Sequence, residues 1–246
     1  MLDLARLLGT FRPGDVHLWQ GSIAALSEAD TCLLDDDERR RAQAFRYAED
    51  RQAFISRRIG VKRILGFYLG RPAAEIAFSV GRFGKPYLPV AEEVSFNWSK
   101  SANLWLLAIA PGGNIGVDIE YVAEDIDWQS LLPLVCHESE IRFIAQERAG
   151  AVQRFFQIWA RKEALIKALG KGIRDDLPSL SVMPATTGNG GVPRNFPVQD
   201  AIDLQIEPGL AGAIVADFPI ERLRRFAWPA AEIAECIMTT PFSIAA

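Results

Sequence analysis

The sequence predicts a mixed α+β fold, and three features lead to that expectation. Two long segments, from about residue 49 to 69 and from about 151 to 169, have apolar side chains at the spacing of amphipathic helices. Strand-like segments follow each of them. The chain has 246 residues, of which 49% are hydrophobic, so it can bury a sizeable core as one large domain or two smaller ones.

Composition argues against several functional classes. The formal net charge of −4 argues against a general nucleic-acid binder, although basic residues concentrate between Arg39 and Arg63. The three cysteines are far apart and lack a C-x-x-C spacing, which predicts a reducing, cytoplasmic environment without a disulfide framework or zinc site. Long apolar runs are lacking, so we expect neither secretion nor a membrane span. With two histidines, a Ser/His/Asp hydrolase is hard to build.

Turn and capping signals predict the first elements. Val16–Trp19 follows a Pro-Gly turn signal and is expected to be a strand in which His17 is structural. Ser27 and Asp30 have the form of a capping box and predict a helix through about Phe45. The charged middle of that helix, with acids before bases, is typical of a solvated face.

The helix predicted over 49–69 has basic residues along the border of its buried stripe. The stripe consists of Phe54, Val61, Leu65 and Tyr68, and the border residues are Arg51, Arg58 and Lys62. Each base could simply extend its charged end into water. Three in a row, beside the bases of the preceding helix, make an anion site the alternative.

Two polar segments precede the central strand. Gly81–Tyr87 is expected to be a turn, in which a proline biases Lys85 toward an extended backbone and displays it on a constrained loop. Trp98–Ser101 could bind phosphate through its hydroxyls and lysine, or could be an ordinary polar turn. After Pro111-Gly112-Gly113 we expect an antiparallel strand pair that continues into Ile115–Glu120.

Asp118 and Glu120 lie two residues apart in this strand, so their carboxylates project from one face while Val117 and Ile119 project from the other. Gly116 allows another group to approach closely. Adjacent carboxylates are costly unless a cation lies between them, and oxygen ligands suit Mg²⁺ or Mn²⁺. From these residues alone, a solvated strand end remains the alternative.

The second half is predicted to contain three helices and three strands. The helices are expected at 127–135, at 138–149 with Gly150 as its end, and at 151–169 with Gly170 as its end, and the strands at 180–182, 201–206 and 212–218.

Three charged residues of the last helix invite interpretation. Lys162 falls within the apolar arc and therefore needs a phosphate, a carboxylate or a route to solvent. Glu163 and Lys167 are i, i+4 neighbours on the edge of that arc, a spacing that taken alone is typical of simple helix stabilisation.

Three separated motifs occur in order along the chain. They are Gly84-Lys85-Pro86 followed by Phe96-Asn97-Trp98-Ser99, then Gly116-Val117-Asp118-Ile119-Glu120, and then Trp159-Ala160-Arg161-Lys162-Glu163-Ala164-Leu165-Ile166-Lys167. The last two, G-x-D-x-E and W-x-x-K-E-A-x-x-K, form a specific signature at this separation. Together the motifs, within roughly residues 27–172, resemble those of the Sfp-type 4′-phosphopantetheinyl transferases.

The resemblance implies a reaction and an architecture. Coenzyme A would supply its phosphopantetheine arm to a serine of an acyl or peptidyl carrier protein, and 3′,5′-ADP would leave. The implied fold is α+β, with two similar, pseudo-symmetric α/β subdomains and a cleft between them. Residues 1–113 would form the N-terminal subdomain with the coenzyme A-binding bases, and 114–246 the C-terminal one with the metal carboxylates and the catalytic helix. Because one chain contains both halves, we expect a monomer.

The resemblance also implies a role for individual residues. Asp118, Glu120 and Glu163 would hold Mg²⁺, or Mn²⁺, on the pyrophosphate. Glu163 would accept the serine proton, and Lys167 would stabilise or protonate the leaving phosphate. The residues expected to contact coenzyme A are Arg41, Lys62, Lys85, Ser99 and Lys162, to which we add Arg58 because it lies one helical turn from Lys62. Trp159 is expected to be a packing residue.

One position departs from the family pattern F-N-x-S-H-S, because Lys100 stands where the histidine is expected. Lysine keeps a cation near phosphate but loses titration near neutral pH and the flat ring. We therefore expect activity with an altered coenzyme A contact. A weakly active or inactive family member that binds coenzyme A or carrier proteins is the alternative, and nucleic-acid binding by the bases between 39 and 63 is a weaker one. The pathway of the carrier protein, whether fatty-acid, polyketide or nonribosomal-peptide synthesis, depends on surface shape.

Overall fold

The computed structural model describes residues 11–23, 31–89, 94–146, 148–170, 177–183 and 201–228. Its helices are α1 (Asp36–Gln43), α2 (Ala48–Leu69), α3 (Trp128–Val135), α4 (Glu138–Ala145) and α5 (Ala151–Leu169). Its strands are β1 (Asp15–Ser22), β2 (Ser79–Val80), β3 (Pro86–Tyr87), β4 (Ser95–Ser101), β5 (Leu104–Ala110), β6 (Ile115–Tyr121), β7 (Ile202–Asp203), β8 (Leu210–Ala216) and β9 (Arg222–Trp228). None of the helices in these ranges combines the length and apolar character needed to cross a bilayer.

The strands form two main sheets, which confirms the predicted mixed α+β class. The first sheet has the order β4-β5-β1-β9 and the second has the order β6-β8-β7, while β2 and β3 form a small hairpin. Neighbouring strands are antiparallel, apart from the parallel pair of β1 and β9.

The main elements stack in four layers. Helix α2 packs against one face of the first sheet, where Leu65 and Trp105 are buried. The opposite face of that sheet packs against the second sheet, where Leu18 and Val117 are buried. Helix α5 covers the remaining face of the second sheet through residues such as Phe155. The second sheet therefore lies between the first sheet and α5.

The long helices agree with the sequence predictions, whereas the short ones differ in their bounds. Helices α2 and α5 end at Gly70 and Gly170, both in the left-handed conformation. The predicted helix through Phe45 is interrupted, because Asp35 and Glu38 form the capping box at which α1 begins. The predicted start at Ser27 lies outside the described residues. Gly150 begins α5 and does not end α4, which stops at Ala145.

Several predictions about the strands differ from the structure. Residues 180–182 do not form a strand, and only Ile202–Asp203 of the segment 201–206 does. Trp98–Ser101 belongs to β4 and is not a turn. The expected pair across residues 111–113 is absent, because β5 lies in the first sheet and β6 pairs with β8 in the second.

Strand β9 was not predicted at all. It follows the second sheet in sequence but pairs with β1 in the first sheet. The predicted boundary between residues 113 and 114 therefore separates the strands of the two sheets with the exception of β9. The similarity of the two halves stays a prediction.

Helix α5 approaches β6 unusually closely at Gly116. A Cβ atom at this position would lie 2.0 Å from the carbonyl oxygen of Ala164 and 2.4 Å from the amide nitrogen of Ala168. Both neighbours are backbone atoms, so they cannot move aside by a side-chain rotation. The sequence prediction that Gly116 permits a close approach is confirmed, and the approaching group is the helix backbone.

His17 is a buried structural residue, as predicted. Its side chain is 0% exposed, and its Nδ1 lies 2.5 Å from the hydroxyl of Tyr68. Trp19 donates its indole N–H to the same hydroxyl at 3.2 Å. The Tyr68 hydroxyl therefore joins the side chains of two β1 residues, and the tautomer of His17 determines whether the hydroxyl donates to Nδ1 or accepts from it. Burial lowers the pKa of His17 to about 3, so the ring is neutral at physiological pH.

We expect Gly116→Ala to lower the free energy of unfolding by about 3 kcal/mol or more, because the added methyl group overlaps the helix backbone. Urea unfolding monitored by circular dichroism measures this change. Gly81→Ala is the matched control: its Cβ would meet the Lys85 carbonyl oxygen at an ordinary 3.4 Å, and the expected change is no more than about 1 kcal/mol. Equal stability of the two variants would contradict the close approach.

The neutral state of His17 predicts a loss of stability in mild acid. Unfolded histidine binds a proton near pH 6.5 but folded His17 does so near pH 3, so the unfolded state takes up more protons and stability falls as the pH decreases between these values. From pH 7 to pH 5 this contribution amounts to about 2 kcal/mol. The non-titrating variant His17→Gln should lose about that much less than wild type in urea unfolding at the two pH values. Parallel losses would show that His17 does not cause the dependence.

Candidate active site

The two sheets meet along a polar seam between β4 and β6. Alternate side chains of β4 face β6: Asn97 accepts the backbone N–H of Val117 at 2.9 Å, and Ser101 accepts that of Tyr121 at 2.7 Å. Ser95 donates to the carbonyl oxygen of Gly112 at 2.9 Å, just before β6 begins. Side chains of the first sheet thereby satisfy backbone groups at the edge of the second.

Asp118 lies within this seam and is almost fully buried. Ser99 donates its hydroxyl to Oδ1 of Asp118 at 2.7 Å. Lys167, from α5, places its Nζ 2.5 Å from the same oxygen and 3.0 Å from the Ser99 hydroxyl. The other carboxylate oxygen, Oδ2, is buried and has no hydrogen-bond partner among the described residues. The three residues form one cluster in which Lys167 serves as the cation next to Asp118.

Glu120 lies two residues further along β6 and is partly exposed. Its Oε1 accepts the indole N–H of Trp159 at 3.1 Å. Val117 and Ile119 are fully buried between the sheets, which confirms the predicted alternation of side chains along this strand. The carboxylates of Asp118 and Glu120 therefore face α5.

Glu163 and Lys167 line a cavity of about 240 Å³. Residues of the first half form the opposite wall, namely Phe83, Gly84, Lys85, Pro86, Asn97 and Trp98. The predicted turn is confirmed, with Gly84 in the left-handed conformation. Lys85 reaches from it to the carbonyl oxygens of Ile115 at 3.2 Å and Ala168 at 3.5 Å, and burial lowers its pKa to about 8. A partly buried amine thus lies at the junction of β6 and α5.

Burial is the main reason why the pKa values of the three carboxyl groups are raised. Burial and the negative charge of Asp118 raise the pKa of Glu120 to about 7. Burial and Asp118 also raise the pKa of Glu163, while Lys167 acts in the opposite direction on all three groups. Three carboxyl groups therefore lie close to the Lys167 ammonium, and an added cation would relieve the repulsion among them.

A divalent cation fits the chemistry of this site, although no cage for it is preformed. Within the described ranges, no three His, Cys, Asp or Glu side chains are grouped closely enough to hold a metal. The donor atoms are nevertheless oxygens, which suit Mg²⁺. The buried and unpartnered Oδ2 of Asp118 is a coordination position without a competing hydrogen bond.

A cluster of guanidinium groups surrounds Phe54 on α2. Arg41, Arg57 and Arg58 place their Cζ atoms 5.6, 5.9 and 5.5 Å from the ring centroid. Burial and the neighbouring charges of Arg58 and Arg41 lower the pKa of Arg57 to about 10. Sequence reasoning indicated Arg41 and Arg58 but missed Arg57. Arg58 also lies 3.3 Å from Oε1 of Glu38, so its charge is partly balanced within the protein. Repulsion among the three guanidinium groups still makes the cluster suitable for an anion.

Two lysines predicted to contact phosphate have acidic partners within the protein. Lys62 is 1% exposed and lies 2.6 Å from Oε2 of Glu38. Lys162 lies 2.8 Å from Oε2 of Glu140 and donates to the carbonyl oxygens of Leu177 and Leu180. These three acceptors use all three N–H groups of Lys162. The sequence left a phosphate, a carboxylate or solvent as the partner of Lys162, and in the structure the partner is the carboxylate of Glu140.

Lys100 is exposed on β4. Side chains alternate along a strand, so Lys100 projects from the face opposite to Ser99, which contacts Asp118.

Two arginines of α1 behave as the solvated face that the sequence indicated. Arg39 and Arg40 pair with Asp36 and Asp37 one turn earlier.

Sequence reasoning missed two structural contacts of the motif residues. Asn97 binds the backbone of β6, and Trp159, expected only to pack, also binds Glu120. The alternating polar residues Ser95, Asn97, Ser99 and Ser101 were a usable signal for the seam, because alternation places them on one face of a strand. No local signal identifies the partner of an indole N–H.

Comparisons with known proteins agree with this arrangement. Residues 114–214 match a sequence model of the 4′-phosphopantetheinyl transferase superfamily. The chain is 35% identical over 176 residues to the 4′-phosphopantetheinyl transferase HetI of Nostoc. These residues cover 67% of this chain and 72% of the relative. It is 24% identical over 192 residues to the 4′-phosphopantetheinyl transferase Sfp of Bacillus subtilis, covering 76% and 85% of the two chains.

A third relative comes from a fungus. The L-aminoadipate-semialdehyde dehydrogenase-phosphopantetheinyl transferase of Eremothecium gossypii is 31% identical over 174 residues, which cover 64% of this chain and 63% of the relative. The matched superfamily segment contains β6 and α5, the two elements that contribute Asp118, Glu120, Glu163 and Lys167. The chain belongs to the 4′-phosphopantetheinyl transferase superfamily and is an enzyme of that transferase class.

Proposed function

We propose that this protein transfers the 4′-phosphopantetheine arm of coenzyme A to a serine of an acyl or peptidyl carrier protein, in a reaction that depends on magnesium. The serine oxygen forms a bond to the phosphorus that carries the pantetheine. The bond from that phosphorus to the bridging pyrophosphate oxygen breaks, and 3′,5′-ADP leaves.

One observation supports this proposal above the others: α5 brings Glu163 and Lys167 to the carboxylates of β6 beside a cavity. Lys167 binds Asp118 directly, and Glu163 lines the cavity together with Lys167 and Lys85. Acids, bases and a cavity for a phosphate group are thus collected at one place. Phosphoryl transfer needs little more than positioning and the stabilisation of charge.

The proposed metal ligands are Asp118 and Glu120, with Glu163 as the third carboxylate. When bound, Mg²⁺, or Mn²⁺ in its place, would polarise the reacting phosphorus and neutralise charge on the leaving group. The free Oδ2 of Asp118 and the raised pKa values of the three carboxyl groups support this assignment.

Glu163 and Lys167 have the proposed catalytic roles. Glu163 accepts the proton of the incoming serine, directly or through a water molecule, and the rise in its pKa caused by burial makes its carboxylate a stronger base. Lys167 stabilises or protonates the leaving phosphate. Its ammonium lies against Asp118, beside the other proposed metal ligands.

The proposed coenzyme A contacts fall into two groups. Lys85 and Ser99 lie at the cavity and in its seam, whereas Arg41 and Arg58, together with Arg57, form the cationic cluster around Phe54. Lys62 and Lys162 are occupied by Glu38 and Glu140, so we assign them structural roles. A contact from Lys100 stays a prediction.

A cavity that residues of both halves line supports the proposed cleft between two similar subdomains. We further propose that the protein acts as a monomer in the cytoplasm, because both walls of this cavity come from one chain. A carrier protein would present its serine at the open side, and neither nucleic acid nor membrane is part of the proposed reaction.

A transfer assay tests the proposal. Purified protein is incubated with coenzyme A, Mg²⁺ and several apo carrier proteins, and mass spectrometry should detect one added phosphopantetheine group. Glu120→Ala should lower the rate about 100-fold or more, because a metal ligand is lost. Glu138→Ala is the control, since this carboxylate is exposed and pairs with Arg142 on α4.

Two outcomes would contradict these assignments. No mass gain on any carrier protein would argue against transfer. A fully active Glu120→Ala variant would argue against the metal role of Glu120 while leaving transfer intact.

Removal of the Lys167 charge should strengthen metal binding and weaken catalysis. In Lys167→Met no ammonium competes for Asp118, so we expect Mn²⁺ to bind the protein without coenzyme A about tenfold more tightly, which corresponds to about 1.4 kcal/mol. Transfer should fall about 100-fold or more, because the leaving phosphate loses its cation. Isothermal titration calorimetry measures the affinity, with Lys100→Met as the control for the loss of one positive charge. Weaker Mn²⁺ binding by Lys167→Met would show that the ammonium does not compete with the metal for the charge of Asp118.

A further inference from the structure

Trp159 lies on the same face of α5 as two catalytic candidates. Trp159, Glu163 and Lys167 follow each other at four-residue spacing, so their side chains project along one side of the helix. The indole ring packs on the core under the second sheet, with its centroid 6.0 Å from that of Phe155. Its N–H extends out of this core to Oε1 of Glu120 at 3.1 Å. A core side chain therefore contacts a carboxylate of the site.

The hydrogen bond from Trp159 restricts the rotation of the Glu120 side chain. Glu120 is the second-to-last residue of β6, is partly exposed, and has three rotatable side-chain bonds. Ordering such a side chain costs up to about 2 kcal/mol of conformational entropy. A bond that already fixes Oε1 lowers the part of this cost that ligand binding has to meet.

Glu120 and Asp118 differ in the charge of the group that donates a hydrogen bond to them. Oδ1 of Asp118 is held by the charged ammonium of Lys167, which competes with any other cation. Glu120 is held by a neutral indole N–H, which is only a donor and brings no opposing charge. The contact orients the carboxylate without neutralising it.

The position of the donor is set by rigid parts of the structure. The ring is held in the core by packing, and the helix that carries it is held against β6 by the close contact at Gly116. An indole has only two rotatable side-chain bonds, so little freedom remains once its ring is packed.

We propose that Trp159 is a positioning residue that holds Glu120 in the orientation in which its carboxylate binds a divalent cation. The inference rests on the proposed function only where it takes Glu120 as a cation ligand. Hydrogen-bond partners of metal ligands typically contribute about 10- to 100-fold to metal affinity. Trp159 acts through Glu120 and does not touch the reacting atoms.

The variant Trp159→Phe tests this role, because it keeps an aromatic ring in the core but removes the N–H. We expect the dissociation constant for Mn²⁺, measured by titration calorimetry on the protein alone, to rise about tenfold. In the transfer assay the Mg²⁺ concentration for half-maximal rate should rise about tenfold, whereas the rate at saturating Mg²⁺ should stay within about threefold of wild type.

Trp128→Phe is the matched control. Trp128 packs on the same Phe155 from α3, at a centroid distance of 5.7 Å. A general loosening of this core would change Mg²⁺ dependence in both variants, whereas the positioning role requires a change in Trp159→Phe alone. An Mn²⁺ affinity of folded Trp159→Phe within about twofold of wild type would overturn the proposal.

A measurement on the wild-type protein covers the case in which Trp159→Phe does not fold. The indole N–H resonance of Trp159 should shift when Mg²⁺ is added, and this shift should be lost in Glu120→Gln. An unchanged resonance at saturating Mg²⁺ would contradict the proposal. Because neither metal titration contains coenzyme A or a carrier protein, a failure of transfer would count against the proposed function and leave the positioning of Glu120 standing.

Discussion

The contact between the backbones of α5 and β6 at Gly116 determines the geometry of the candidate site. No side chain fits between them, since a Cβ atom would lie 2.0 Å from the Ala164 carbonyl oxygen. Helix and strand are both stiff, so this separation also fixes how far the side chains further along each element have to reach. Lys167 then meets Asp118, and Trp159 meets Glu120. A residue without chemistry of its own thus decides whether the chemical groups come within hydrogen-bond distance.

The seam between β4 and β6 explains how a site can form where two sheets meet. An edge strand exposes N–H groups that could pair with another strand and extend the sheet. Here Asn97 and Ser101 accept two of them through side chains, which leaves the sheets free to pack face to face. Ser99 belongs to the same row and binds Asp118. The alternation that turns Ser99 toward the site also turns Lys100 away from it.

Local patterns predicted the long helices and the faces of β6, whereas contacts between distant residues decided the strand pairing and the partners of buried charges. Helix α5 and the two faces of β6 followed from side-chain periodicity, because that information lies within each segment. The sheet to which β6 belongs depends on β8, and β9 was missed because its partner is β1, about 200 residues away. Lys162 was predicted to contact a phosphate, but in the structure it pairs with Glu140 on another helix. A single segment shows that a buried lysine needs an acceptor but not which one it meets.

Lys162 and Lys167 show how completeness of hydrogen bonding separates a structural charge from a functional one. Both belong to one motif on α5, and both pair with a carboxylate. Lys162 has three acceptors, while its partner Glu140 also accepts the backbone N–H groups of His137 and Val182. A buried pair satisfied in this way is stable as it stands, and breaking it is costly. Lys167 is 28% exposed, and within the described part of the chain Oδ2 of its partner Asp118 has no hydrogen-bond partner. The second pair is incomplete within the protein, which is the condition under which a metal ion and a phosphate can replace its contacts.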